Sequence, residues 1–151
     1  MALNELDDLY REAILDHSRK PRHQAVLDRA DITASAVNPF CGDETSIQVA
    51  LESGRVSQVG GRAKGCAISQ ASRSMLTQLL IGQSLDEIDT IIAIFQRMMR
   101  GREPSLEEMA RLGDVGALEG VRQFPVRIKC ALLAWSALEE AIEAYRGDEG
   151  A

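Results

Sequence analysis

The chain is short of several features that would settle its class at once. It has three cysteines in 151 residues, an odd number that cannot pair off into disulfides, and a length that can bury a core without them. It has no long hydrophobic run: the longest purely apolar stretches, Ile91–Phe95 and Ala131–Trp135, are five residues each, against the roughly 20 that a membrane-spanning helix needs. Basic charge is in deficit, with 17 Lys and Arg against 23 Asp and Glu and a formal net charge of −6, which opposes nonspecific binding to nucleic acid. The first residues, Met1-Ala-Leu-Asn-Glu-Leu-Asp-Asp, are acidic early and carry neither a basic leader nor an apolar stretch, so no secretory signal is expected. No internal repeat, low-complexity tract or long linker is visible. These absences predict one domain over residues 1–151, soluble and cytoplasmic, with no nucleic-acid or membrane partner.

What is present changes its period along the chain. Leu3, Leu6, Leu9, Tyr10, Ala13 and Ile14 recur at three- and four-residue intervals and predict a helix over about 3–19, ended by Pro21. From Ile32 to Leu51 the pattern turns to alternation, with Ile47, Val49 and Leu51 against Gln48 and Ala50. Ser53-Gly54 then offers a hairpin turn into a strand running from Val56 to Lys64. After Cys66 the helical period returns over 67–81. Further helices are expected behind the Ser-x-x-Glu capping signals at Ser84/Glu87 and Ser105/Glu108, and from Pro125 or Val126 to about Tyr145. Gly101–Pro104 and Leu112–Gly120 read as flexible connectors. Strands early and helices late predict an α+β fold, a small three-stranded antiparallel sheet packed against helices.

Each cysteine stands at a turn or helix start: Cys41 in Asn38-Pro-Phe-Cys-Gly-Asp43, Cys66 in Lys64-Gly-Cys-Ala67, Cys130 in Phe124-Pro-Val-Arg-Ile-Lys-Cys130. Three thiols and the neighbouring carboxylate of Asp43 match, in number and kind, the ligands of one tetrahedral metal. Their spacing is not that of a zinc finger, because 22 residues separate Asp43 from Cys66 and 63 separate Cys66 from Cys130, so folding must gather them. Cys66 at a helix start favours a thiolate. Arg62, Lys64, Arg127 and Lys129 are candidate counter-charges for a site that three thiolates and a carboxylate leave net negative. Plainer readings exist for each residue. A lone cysteine is most often a small buried hydrophobe, Asp43 would serve as a turn residue, and the cations would be solvated. His17 and His23 are expected at the surface or as a helix C-cap. Trp135, Leu132, Leu133, Leu138, Met98 and Met99 read as core.

The segments Leu9-Tyr-Arg-Glu-Ala-Ile-Leu-Asp-His17, Asn38-Pro-Phe-Cys-Gly-Asp43, Gly65-Cys-Ala-Ile-Ser-Gln-Ala-Ser72 and Phe124-Pro-Val-Arg-Ile-Lys-Cys-Ala131 together resemble the SufU branch of the NifU/IscU-like family of iron-sulfur cluster assembly proteins. The IscU scaffolds so resembled carry a histidine just before the third cysteine, where this chain has Lys129. SufU-branch members carry an insertion between the second and third cysteines, which Gly101–Gly120 could supply.

The resemblance implies a SufE/NifU/IscU-like fold, with zinc held by Cys41, Asp43, Cys66 and Cys130. It also implies a sulfurtransferase role, in which a SufS-like, pyridoxal-phosphate cysteine desulfurase gives up persulfide sulfur that is passed to a downstream Suf scaffold complex. Cys41 is the implied acceptor, released from the metal when the desulfurase docks. The alternatives are an IscU-like scaffold carrying a transient [2Fe-2S] cluster on the same residues, and a purely structural zinc site.

Overall fold

Ser53 and Gly54 both adopt positive φ, 54° and 79°, the paired left-handed conformation that closes a two-residue hairpin, and the sheet is organised around that turn. The computed structural model describes residues 2–39 and 42–150, with side chains described over 11–39 and 42–147. In chain order the elements are α1 (Ala2–Arg19), β1 (Ile32–Asn38), β2 (Asp43–Glu52), β3 (Arg55–Gly60), β4 (Ala63–Lys64), α2 (Ala67–Leu80), α3 (Leu85–Met99), α4 (Leu106–Leu112), a 3-10 helix (Gly113–Gln123) and α5 (Pro125–Gly150). β2 is the spine of the sheet. It pairs antiparallel with β1 along one edge, Ile32 opposite Val49 and Asn38 opposite Asp43. Along the other edge it pairs with β3 and then with β4.

The architecture is the expected α+β one, with a difference in strand count. The stretch expected to run unbroken from Val56 to Lys64 divides at Gly60 and Gly61. Gly61 has φ +113°, and the chain leaves the ladder there before rejoining β2 with Ala63 opposite Thr45. A side chain at either glycine would strike neighbouring backbone, the Ala25 carbonyl at Gly60 and the Ser46 carbonyl at Gly61. The break is therefore imposed by close packing on the strand edge.

Ile32, Ala34, Ile47 and Val49 alternate onto the inner face of the sheet, Val56 and Val59 join them across a register shift in the β2–β3 pairing, and all six are buried. The helices cover that face. Trp135 and Leu138 of α5 have no exposed surface, and the Trp135 ring stacks on Phe95 of α3 with centroids 4.0 Å apart at 22°. Met98 and Met99 are buried as well, as the sequence led us to expect. Among the described residues no helix is long and apolar enough to cross a membrane.

Four local expectations are corrected. Leu112–Gly120 is not a loose connector, because Leu112, Val115, Ala117 and Leu118 are buried within or just before the 3-10 helix. The capping box is complete at α4, where Ser105 Oγ accepts the Glu108 amide and Glu108 accepts the Ser105 amide. At α3 only half of it forms: Ser84 Oγ accepts the Glu87 amide, while the Glu87 carboxylate meets Arg55 at 3.1 Å. His17 is not at the surface. It continues the Ala13/Ile14 face of α1, is 1% exposed, and places Nδ1 2.7 Å from Ser74 Oγ and Nε2 3.1 Å from Asp114 Oδ2. His23 is half-buried rather than exposed.

Candidate metal centre

Asp43 opens β2, Cys66 precedes α2 and Cys130 lies in the second turn of α5. These three distant positions put a carboxylate oxygen and two sulfurs within 4.8 Å of one another. Asp43 has no exposed surface, Cys130 is 1% exposed and Cys66 is half-buried. Cys41 lies outside the described residues. Gly42, just after it, has φ +70° and donates its amide to the Asn38 carbonyl at 2.8 Å, closing the connection from β1 to β2.

The local chemistry explains the convergence. Cys66 is the N-cap of α2, with extended backbone at φ −71° and ψ 163°, and its sulfur accepts the Ser69 amide. Donors at a helix N-terminus favour a negative sulfur. The Cys66 amide donates to Asp43 Oδ1 at 2.8 Å, and Cys66 Sγ lies 3.7 Å from Asp43 Oδ2. That approach needs Gly65. Its φ is +143°, and a Cβ there would overlap the Asp43 carboxylate. Gln70 steadies the same loop by donating Nε2–H to the Gly65 carbonyl at 2.9 Å. Cys130 Sγ points back along its helix, 3.8 Å from the Val126 carbonyl.

Among the candidate counter-charges, Arg127 interacts with both Cys66 and Cys130. The charge of Cys66, then the hydrogen bond and charge of Cys130, hold its guanidinium above the usual value. Arg127 is exposed, so its charge reaches the sulfurs from the solvent side. Arg62, Lys64 and Lys129 are exposed too, and Arg62 and Lys64 line a separate groove with Ser35, Val37 and Glu44.

The donor set fits a thiophilic divalent ion. Bonds of roughly 2.3 Å to sulfur and 2.0 Å to oxygen in a tetrahedron put a sulfur about 3.5 Å from the oxygen and two sulfurs about 3.8 Å apart, and the observed sulfur–carboxylate separation is 3.7 Å. Neither histidine belongs to the cluster, since among the described residues it consists of Asp43, Cys66 and Cys130.

The model of the NifU-like N-terminal domain matches residues 9–151. The chain belongs to that family. This NifU-like chain is 40% identical to the zinc-dependent sulfurtransferase SufU of Bacillus subtilis over 142 residues, covering 94% of the chain and 95% of the relative. It is 41% identical to the iron-sulfur cluster assembly scaffold protein IscU of Streptococcus pyogenes, covering 95% and 88%. A crystal structure from Fervidobacterium islandicum, described as an iron-sulfur cluster assembly scaffold protein for the SUF system, superposes with a TM-score of 0.80 at 30% identity, covering 87% and 94%. Overall identity thus falls equally on a sulfurtransferase and a scaffold.

The sequence did not point to the polar groups beneath the site. Ser72, Arg73 and Ser74 are all fully buried on α2. Their one sequence signal is position, since Arg73 follows Cys66 by seven residues, two helical turns on the same face.

Proposed function

We propose that the chain takes part in iron-sulfur cluster biogenesis as a zinc-dependent sulfur acceptor, receiving persulfide sulfur from a cysteine desulfurase and handing it on to the assembly machinery. The convergence of Asp43, Cys66 and Cys130 on one point carries this reading. Two further features support it: the 40% identity to a protein named as a zinc-dependent sulfurtransferase, and Lys129 standing just before Cys130. Cys41, two residues before Asp43 in the chain, completes a set of three thiols and a carboxylate. Zinc held by Cys41, Asp43, Cys66 and Cys130 would keep the thiols deprotonated at neutral pH, where a free cysteine is only a few per cent thiolate.

Cys41 is the acceptor. Its thiolate attacks the outer sulfur of the desulfurase persulfide, forming a new sulfur–sulfur bond as the partner's sulfur–sulfur bond breaks. The partner's cysteine leaves as thiolate and Cys41 becomes the persulfide, with no net oxidation or reduction. Asp43 and Cys66 stay locked together by the amide–carboxylate bond, and Arg127 neutralises the sulfurs at the mouth. The natural places of action are the cytoplasm and the surface of a SufS-like desulfurase, with a Suf scaffold complex downstream.

The test is mass spectrometry of the protein after incubation with desulfurase and cysteine. One added sulfur is expected on Cys41 of the wild type and none on Cys41→Ala, with loss of desulfurase stimulation. Stimulation unchanged by Cys41→Ala would remove Cys41 from the acceptor role.

A second reading, a scaffold for a transient [2Fe-2S] cluster, is favoured by the 41% identity to a protein named IscU and by the carboxylate in the ligand set, which makes a cluster easier to unload. Metal analysis separates the two: a colourless protein with one zinc supports sulfur transfer, whereas a coloured protein with iron and sulfide supports the scaffold.

A further inference from the structure

α2 is in contact with each of the elements that carry the site. Cys66 caps it, Asp43 is on β2 and Cys130 is on α5. About two turns below Cys66, the consecutive residues Ser72, Arg73 and Ser74 have no exposed surface. Successive positions on a helix point about 100° apart, so three neighbours reach three different partners.

The Ser72 hydroxyl donates to the carbonyl of Ala131, the residue after Cys130, at 2.5 Å, and accepts the Trp135 Nε1–H at 2.8 Å. Both of these partners are on α5. Arg73 Nε donates at 3.0 Å to the carbonyl of Ser46, three residues along β2 from Asp43. Its terminal nitrogens donate to the carbonyls of Arg22, His23 and Gly60 at 3.2, 2.9 and 3.0 Å. Ser74 Oγ accepts the Arg22 amide and meets His17 of α1.

Arg73 stands out in this set. A buried cation is strongly disfavoured unless it is fully hydrogen-bonded, and its hydrogen-bond partners among the described residues are main-chain carbonyls. Burial lowers its pKa to about 10, which leaves it charged at neutral pH. The surrounding backbone is shaped around it, because a Cβ on Gly61 would lie 3.1 Å from Arg73 Nη2 and overlap the Ser46 carbonyl. Apolar residues such as Met75 and Leu76 on the same helix already supply burial. What Arg73 adds is direction: hydrogen bonds fix the slide and rotation of α2 on β2 more tightly than apolar contact does. A metal centre assembled from three elements needs that precision.

We propose that Arg73 and Ser72 are positioning residues of the Asp43–Cys66–Cys130 centre, Arg73 fixing β2 against α2 and Ser72 fixing α5 against α2. This rests on the metal-binding reading above.

The experiment uses the full chain as wild type, Arg73→Met, Arg73→Lys, Ser72→Ala and a control, Leu80→Ala, which empties a buried site on α2 remote from these ties. Urea unfolding grades stability. Zinc affinity is read by chelator competition at urea-free, fully folded conditions, and site geometry by the thiolate-to-metal absorption of the cobalt(II)-loaded protein. Arg73→Met and Ser72→Ala are expected to weaken zinc binding by about ten-fold or more and to shift the cobalt spectrum, while Leu80→Ala lowers stability and leaves both unchanged. If Arg73→Met does not fold, Arg73→Lys, which keeps the charge and loses the fork of donors, is expected to shift the spectrum in the same direction. Variants that match the control in affinity and spectrum overturn the proposal.

A metal-free arm separates this from failure of the metal reading itself. In Cys41→Ser protein, phenylarsine oxide is expected to bridge the Cys66 and Cys130 thiols, which lie within 4.8 Å, and adding Ser72→Ala is expected to weaken that binding by about ten-fold. An unchanged affinity refutes the positioning role of Ser72 even if the wild type holds no zinc.

Discussion

Asp43 holds Cys66 at two points, its Oδ1 accepting the Cys66 amide at 2.8 Å while its Oδ2 sits 3.7 Å from the sulfur of the same residue. One carboxylate therefore shapes the loop and offers a ligand, and substitutions can separate the two roles. Asp43→Asn retains an oxygen for the amide but gives up the charge. It is expected to fold with a loss of about 1 kcal/mol or less and to bind zinc about 10–100-fold more weakly. Asp43→Ala also strands the amide and should cost about 1–3 kcal/mol. Urea unfolding and chelator competition on the two variants read the two effects independently.

Gly65→Ala tests the same contact from the other side. Gly65 and Gly82 both have positive φ, at +143° and +83°, yet a side chain would overlap Asp43 at Gly65 and meet nothing within 4 Å at Gly82. Each alanine should lose stability through backbone strain, by about 1–3 kcal/mol. Only Gly65→Ala should also weaken zinc binding and alter the cobalt spectrum, and equal metal binding by the two variants would contradict the assigned geometry.

Much of this fold could be read from local signals because local groups decide it. Ser84 and Ser105 cap the helices they precede, Ser53-Gly54 turns the hairpin, and Cys66 starts α2 because its sulfur accepts the Ser69 amide. The outcomes that differ were decided at long range. Glu87 leaves its cap for Arg55, 32 residues away, and His17 is drawn inward by Ser74 and Asp114, 57 and 97 residues away. The split between β3 and β4 depends on what packs over Gly60 and Gly61, and the role of Arg73 on carbonyls from three separate segments. At the centre, Asp43, Cys66 and Cys130 were identifiable by residue type and flanking turns. Their meeting was legible only through the family resemblance, because no spacing rule links positions 23 and 64 residues apart.

The stretch from Leu112 to Gln123 offers a direct check on a reading that the structure reversed. Leu118 has no exposed surface, so Leu118→Ala should destabilise the protein by about 2–5 kcal/mol, whereas a substitution in a loose connector stays within about 0.5 kcal/mol. The urea midpoint should fall with an unchanged slope, and amides of 115–121 should be protected from exchange in the wild type. A neutral Leu118→Ala would mean that this segment does not pack as described.

His23 sets a pH dependence whose sign follows from its surroundings. Burial, and then the charge of Arg73, lower its pKa below the usual 6.5, so the unfolded chain takes up a proton at higher pH than the folded one. The stability associated with neutral His23 is fully present above about pH 6.5 and is lost as the pH falls through the lowered folded-state value. Asp16, Asp31, Glu103 and Glu108 are also shifted down, each by hydrogen bonding to a neighbour, but they act below their own unfolded values near 3.8 and 4.5. The two windows are therefore separable. Unfolding free energies measured at intervals between about pH 7.5 and 5 should decline toward acid in the wild type. In His23→Gln, which cannot take up the proton, the curve should be flatter over that range and should fall only in the carboxylate window. A decline of equal slope in both proteins would assign the acid sensitivity to another group.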